Sequence, residues 1–220
     1  FYNVPLETIE IGSIGTFDSY SFQGVCSTLT TLSVNATSIP NEAFNGCSKL
    51  TSLTLGDNIT SIGSRAFQGT SALNAALDLP SALTQIANYA FYQSGVTSVD
   101  IPSGVTSIGE YAFAASSLTS VTIPASLERI QRYTFNAGSL SSVTIAEGID
   151  SIQEGAFYGT SSLSSIVIPN SVTSIDATAF MRSGLTSVTL SNNLSTIGQS
   201  AFHETSLTSL SVPDSVTSIG

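Results

Sequence analysis

Beside its many serine and threonine hydroxyls, this chain carries two cysteines, one histidine and fifteen carboxylates that could take part in proton transfer, nucleophilic attack or metal binding, and their spacing decides what they can do. His203 has no cysteine or serine partner in a recognisable motif, and it follows Phe202 directly, where other stretches carry Asn45, Gln68 or Tyr92. A catalytic imidazole needs a nucleophile and an orienting group within hydrogen-bond reach, so His203 reads as a surface residue of a turn. Asp78 and Asp100 are the one suggestive carboxylate pair and could offer ligands to Ca²⁺, short of the roughly six to eight oxygens that ion takes. No glycine-rich phosphate loop or metal-spaced His/Cys cluster occurs. The expectation is a non-enzymatic protein, with no catalytic, cofactor-binding or metal-binding residues.

The elements that would hold any site come from a repeat. A phrase of the form Leu-x-x-Val-x-Ile begins at Leu6, Leu29, Leu50, Leu73, Val96, Leu118, Leu140, Leu163, Leu185 and Leu207, with steps from 21 residues (Leu29 to Leu50) to 23 (Leu6 to Leu29). A closing aromatic keeps the same beat at Phe22, Phe44, Phe67, Phe91, Phe113, Phe135, Phe157, Phe180 and Phe202. A period of this length marks a solenoid, in which each unit buries its neighbour's apolar face. Within a unit, Val121 and Ile123 frame Ser120 and Thr122 with the period of a half-buried strand. Pro102, Pro124, Pro169 or Pro213 then ends the strand, and a second short phrase such as Val105–Ile108 follows. Segments such as Glu110-Tyr-Ala-Phe113 are too short for a lasting helix and predict a tight or 3₁₀ turn that carries Phe inward, with a small Ala beside it.

These elements resemble the BspA-like, or treponemal-type, leucine-rich repeat: Leu118-x-x-Val121-x-Ile123-Pro124, Val105-Thr-x-Ile108-Gly109 and Ala112-Phe113 carry its pattern, and the resemblance spans essentially the whole chain. It implies a right-handed parallel coil of about ten units, mainly β with few or no long helices, in cell-surface or secreted proteins credited with adhesion. The cysteine that such repeats place after Phe-x-Gly survives only at Cys47 and, displaced by one, at Cys26. Ten strands about 4.8 Å apart would make a body about 45 Å long. No composition shift divides residues 1–220, which read as one solenoid domain; because the last unit stops at Gly220, before its Ala-Phe, a piece of a longer array is expected, or an end that packs on something else.

A formal net charge of −10, from 15 acids against 5 bases, argues against nucleic acid and anionic membranes, which need a basic stripe. No apolar run is long enough for a membrane span, and the opening Phe1–Leu6 lacks the regions of a signal peptide.

Stacking turns sequence neighbours into columns. The strand's outer face reads Thr8/Glu10, Thr31/Ser33, Ser52/Thr54, Ala76/Asp78, Ser98/Asp100, Ser120/Thr122, Ser142/Thr144, Ser165/Val167, Ser187/Thr189 and Ser209/Ser211. Small hydroxyls there suit a soluble β-surface; a sharper reading is a flat hydroxyl array for ice or a glycan, interrupted by Glu10, Asp78, Asp100 and Val167. Candidate strand-face contacts are Ser98, Asp100, Ser120, Thr122, Ser142 and Thr144.

Tyr89, Tyr111 and Tyr133 form a side ladder that serves either as stacking or as a stripe for a sugar or protein partner. Glu110, Arg132 and Glu154 alternate in sign beside it, as a surface ion ladder. Cys26 and Cys47 occupy one column within disulfide reach, and a bridge or two buried thiols both fit. The sequons at Asn35, Asn58 and Asn193 each lie four residues before the unit's second Ile, in what reads as a shared turn column where N-glycosylation could project.

The expected function is an extracellular or cell-surface scaffold for adhesion or protein–protein interaction. The alternatives are a structural subunit of an extracellular filament or large assembly, in which the chain self-associates, and an ice- or glycan-binding strand face. Protein or glycan partners are expected, with no nucleic acid, no membrane insertion and no cofactor.

Overall fold

The computed structural model describes residues 1, 4–19, 21–22 and 24–220; Tyr2 and Asn3 of the opening segment lie outside it. The chain winds as a parallel β-solenoid of about ten turns with no helix among the described residues. Nine of the ten repeat phrases form a strand of the first wall, from Thr8–Ile14 to Ser187–Thr189, and the phrase beginning at Leu207 stays irregular.

Parallel register carries each column as read from the repeat. Thr8 pairs with Thr31 and Glu10 with Ser33, while Ser120 sits between Ser98 and Ser142, and Thr122 between Asp100 and Thr144. A second wall of two-residue strands stacks Ser107–Ile108 on Gln85–Ile86, and Ser151–Ile152 on Arg129–Ile130. The prolines close the bend between the walls: Val105, Leu127 and Val172 donate their N–H groups to the carbonyls of Pro102, Pro124 and Pro169.

The third wall is built from turns whose backbone alternates in hand. Tyr111 and Ala115 have φ of 57° and 51°, flanking Phe113, and the equivalent residues of other coils, such as Tyr89 with Gln93 and Tyr133 with Ala137, repeat the pattern. Alternation turns every second peptide the same way, so the N–H groups of Tyr111, Phe113 and Ala115 donate to the carbonyls of Arg132, Thr134 and Asn136 in the next coil. Left-handed geometry costs a non-glycine residue about 1–2 kcal/mol, and each inter-coil bond returns about 0.5–1.5 kcal/mol net.

This wall delivers the aromatic ring to the core. From Phe44 to Phe180 the rings are buried and stack with centroids between 5.2 Å (Phe157–Phe180) and 6.0 Å (Phe113–Phe135). The residue before each ring, such as Ala112 or Ala156, is sealed in. Thr134 takes that place in the sixth coil, where its hydroxyl donates to the Gln131 carbonyl at 3.0 Å.

The ladders are not continuous. The first wall lacks pairing between Ser52–Leu55 and Ala76–Asp78 and again between Ser142–Ile145 and Ser165–Val167, and the second between Ser107–Ile108 and Arg129–Ile130. The turn wall crosses each gap: Phe67 donates to Ala90, Phe113 to Thr134 and Phe157 to Ala179. The breaks fall at different coil pairs, so no coil junction loses all its backbone bonds.

Candidate interaction face

Two columns of hydroxyls serve the chain's own backbone. In the column before the first strand, Thr51 donates to the Thr30 carbonyl at 3.1 Å, Thr119 to Thr97 at 3.1 Å and Ser141 to Thr119 at 3.2 Å. In the column before the second strand, Thr60 donates to Thr37, Thr84 to Thr60 and Ser195 to Thr173. Where the phrase reads Thr-Ser, the threonine therefore caps the preceding coil, while the serine that follows points out along the strand.

The strand face differs. Ser98, Ser120, Thr122, Ser142 and Thr144 stand in register with no side-chain hydrogen bond to the protein among the described residues, and all but the half-buried Ser98 are exposed. Asp100 lies directly across the ladder from Asp78, and no basic residue occupies the face. Among the described residues no group of three or more His, Cys, Asp or Glu side chains could hold a metal ion.

At the break between Ser142–Ile145 and Ser165–Val167 the face opens into a groove floored by Val143, Ile145, Ile166 and Pro169 and rimmed by Glu147. Val167 projects there with 64% of its surface exposed. The sequence marks Val167 only as an interruption of the hydroxyl column; the loss of strand pairing beside it has no signal in the repeat.

The tyrosine ladder closes on itself. The Tyr89 and Tyr111 rings stack at 4.8 Å and those of Tyr111 and Tyr133 at 4.9 Å, all nearly parallel. Arg65 places its guanidinium 5.3 Å over the outer Tyr89 face. At the other end Tyr133 lies over Gly155, whose φ of 61° suits glycine and where a Cβ would strike the Tyr133 ring. Both ring faces are thus occupied, leaving edges and phenol oxygens as the accessible part. A sugar that stacks on an aromatic face finds none open here.

The Tyr133 hydroxyl donates to Glu154 at 2.9 Å, and Arg132 pairs with the same carboxylate, so the ion ladder resolves into that pair beside Glu110. Burial, then the hydrogen bond to Glu154, raises the Tyr133 pKa; burial, then the Tyr89 neighbour, raises that of Tyr111. His203 is exposed on its turn with Nε2 at 3.3 Å from Glu204, whose carboxylate also binds Arg182 at 2.6 Å. Arg182 in turn donates to the Tyr158 hydroxyl at 2.9 Å, a cluster no motif announced.

Cys26 and Cys47 are bonded to each other across adjacent coils, with Cα atoms 4.1 Å apart. Elsewhere their column holds Thr70, Ser116 and Thr160, each buried and donating to the carbonyl of the Phe three residues earlier.

The three sequon asparagines do not share a turn column. Asn58 and Asn193 are exposed at turns, whereas Asn35 is half-buried within the strand Thr31–Ala36. The bend between Val34 and Ile39 is two residues shorter than that between Leu55 and Ile62, so equal spacing from Ile puts Asn35 level with Gly56 rather than with Asn58. Each amide is also engaged, with Asn35 Nδ2 donating to Ser13 at 2.8 Å, Asn58 to Asn35 at 3.2 Å and Asn193 to the Asn170 carbonyl at 2.8 Å.

A family profile described as a BspA type leucine rich repeat region, in six copies, matches residues 15–138 and 106–220. A leucine-rich repeat protein from Bacteroides ovatus superposes with a TM-score of 0.66 at 28% identity, covering 94% of this chain and 48% of that one. This chain therefore spans about half the length of that neighbour. The T. pallidum leucine rich repeat protein gives a TM-score of 0.51 at 22% identity over 76% of this chain and 72% of its own. A leucine rich cell surface protein from Faecalibacterium prausnitzii aligns over 94% of this chain and 72% of its own at 25% identity and a TM-score of 0.48. No curated protein matches the chain.

Proposed function

The chain belongs to the BspA-type leucine-rich repeat family, and from that premise we propose that it is a non-enzymatic scaffold at the cell surface or outside the cell, binding a protein partner through its strand face in adhesion. One observation carries this reading. The strand face keeps its hydroxyls without intramolecular partners, while the neighbouring Ser/Thr columns spend theirs on the backbone. Donors and acceptors held in register on a rigid wall bind with little ordering cost.

The bond between Cys26 and Cys47 supports an oxidising location. No helix among the described residues is long and apolar enough to cross a membrane. A net charge of −10 opposes stacking of identical copies. Of the sequons, Asn58 and Asn193 are the two exposed at turns, where a glycan would project once the amide gave up its hydrogen bond.

The test is binding to an array of immobilised extracellular-matrix proteins and glycans, comparing the native protein with a Ser120→Arg/Thr144→Arg variant and with a Gln199→Arg control on the turn wall. Binding to a protein spot that the strand-face variant loses and the control keeps is the expected result. Binding unaffected by the strand-face variant, or confined to glycan spots, refutes the reading.

A further inference from the structure

The groove beside Val167 combines features that the rest of the strand face lacks. Its floor is apolar, formed by half-buried Val143 with Ile145, Ile166 and Pro169, and it lies where the strand ladder is unpaired. Val167 itself stands in a column that elsewhere carries hydroxyls or carboxylates. Val167 adjoins this apolar floor, so that the exposed valine and the floor together form one contiguous apolar patch open to a partner.

What could cover it is limited by charge. The chain carries −10, and its four arginines are already paired: Arg65 with Glu42, Arg129 with Glu128, Arg132 with Glu154 and Arg182 with Glu204. The face around the groove holds Asp78, Asp100 and Glu147 with no base to answer them. A second copy of this chain would bring more negative charge, so the surface is complementary to a cationic partner.

We propose that the groove receives an apolar side chain from an extended, basic segment of a partner protein, laid along the solenoid axis with a lysine or arginine reaching Asp100. Val167 and Asp100 share a column three coil steps apart, two across paired strands and one across the break, about 14 Å if each step keeps ordinary strand spacing. An extended chain spans that in about four residues, and residues i and i+4 of a strand point to the same side. The recognised pattern is an apolar residue and a basic residue four apart, both facing the wall. The inference rests on the proposed strand-face scaffold and names its occupant.

The probes are three synthetic nine-residue extended peptides: one with Leu at i and Arg at i+4, one with Glu replacing the Arg, and one with Ser replacing the Leu. Binding is followed by fluorescence anisotropy at low and physiological salt, using the native chain, Val167→Ser and Asp78→Asn/Asp100→Asn, each with its melting temperature checked. The Leu/Arg peptide is expected to bind best, about tenfold weaker to each variant, with a reduced salt dependence in the Asp variant. Equal binding of the Glu peptide, indifference to both variants, or no binding of the Leu/Arg peptide overturns the proposal. An array partner that is lost on Ser120→Arg/Thr144→Arg but untouched by Val167→Ser and Asp78→Asn/Asp100→Asn leaves the scaffold standing and removes this occupant. Array binding that survives Ser120→Arg/Thr144→Arg removes the scaffold itself.

Discussion

Single residues here owe their roles to the coil above and the coil below. Phe113 is 1% exposed between Phe91 at 5.3 Å and Phe135 at 6.0 Å, so truncation leaves a cavity that neighbouring coils cannot close. Phe113→Ala is expected to cost about 3–5 kcal/mol, read as a lowered midpoint in thermal or urea unfolding. Tyr111 and Tyr133 are held protonated by their surroundings: the folded pKa lies above the unfolded value near 10 for both. A raised folded pKa contributes stability that is complete below the unfolded value and disappears as pH climbs through the folded one. Stability should therefore fall as pH rises above about 10, with part of the phenolate absorbance at 295 nm appearing late. Glu154→Gln should move the Tyr133 titration back toward the ordinary phenol, because it removes the charge that accepts the hydrogen bond.

Among the elements, the turn wall has the most unusual backbone. Ala115 and Ala137 hold φ of 51° and 49°, where glycine carries no Cβ penalty, as Gly69 and Gly159 show at equivalent places. Ala137→Gly is expected to stabilise the fold by about 0.5–1 kcal/mol, the relief of left-handed strain exceeding the added entropy of the unfolded chain. Equilibrium urea unfolding reads the shift as a higher midpoint. The strand elements were legible from alternation: Ser120, Val121, Thr122 and Ile123 behave as the period predicts, with Val121 and Ile123 buried. The turn was legible only as short and inward-turning. Its alternating hand was hidden because glycine marks only some of the left-handed positions, such as Gly69, Gly155 and Gly159, while others take Glu42, Arg65, Tyr89, Thr178 and Ser200.

For the whole molecule, bonds along the axis set cooperativity. The Cys26–Cys47 bridge closes a separation of 21 residues and joins two adjacent coils near one end. Reduction is expected to cost about 3 kcal/mol by restoring freedom to the unfolded chain, seen as a lower melting temperature with reductant. Thiol titration of the denatured, unreduced protein should find no reactive cysteine; two reactive thiols would show that the bridge is not formed. The gaps in the strand walls are staggered, so the Phe stack and the turn wall carry cohesion where a ladder is missing.

The repeat alone determined the solenoid, its beat of strand, bend and Phe turn, and the columns in which residues stand, because identical units can bury an apolar face only by stacking. It also brought Cys26 and Cys47 to adjacent places. Tertiary structure decided which column members are free. Hydroxyls of the same type serve the backbone before a strand and stand unpartnered on it, and the tyrosine rings cover one another, with Tyr89 and Tyr111 stacked at 4.8 Å. It also shifted Asn35 into a strand and opened the ladder beside Val167, since pairing between coils depends on bend lengths and axial geometry that no single repeat records.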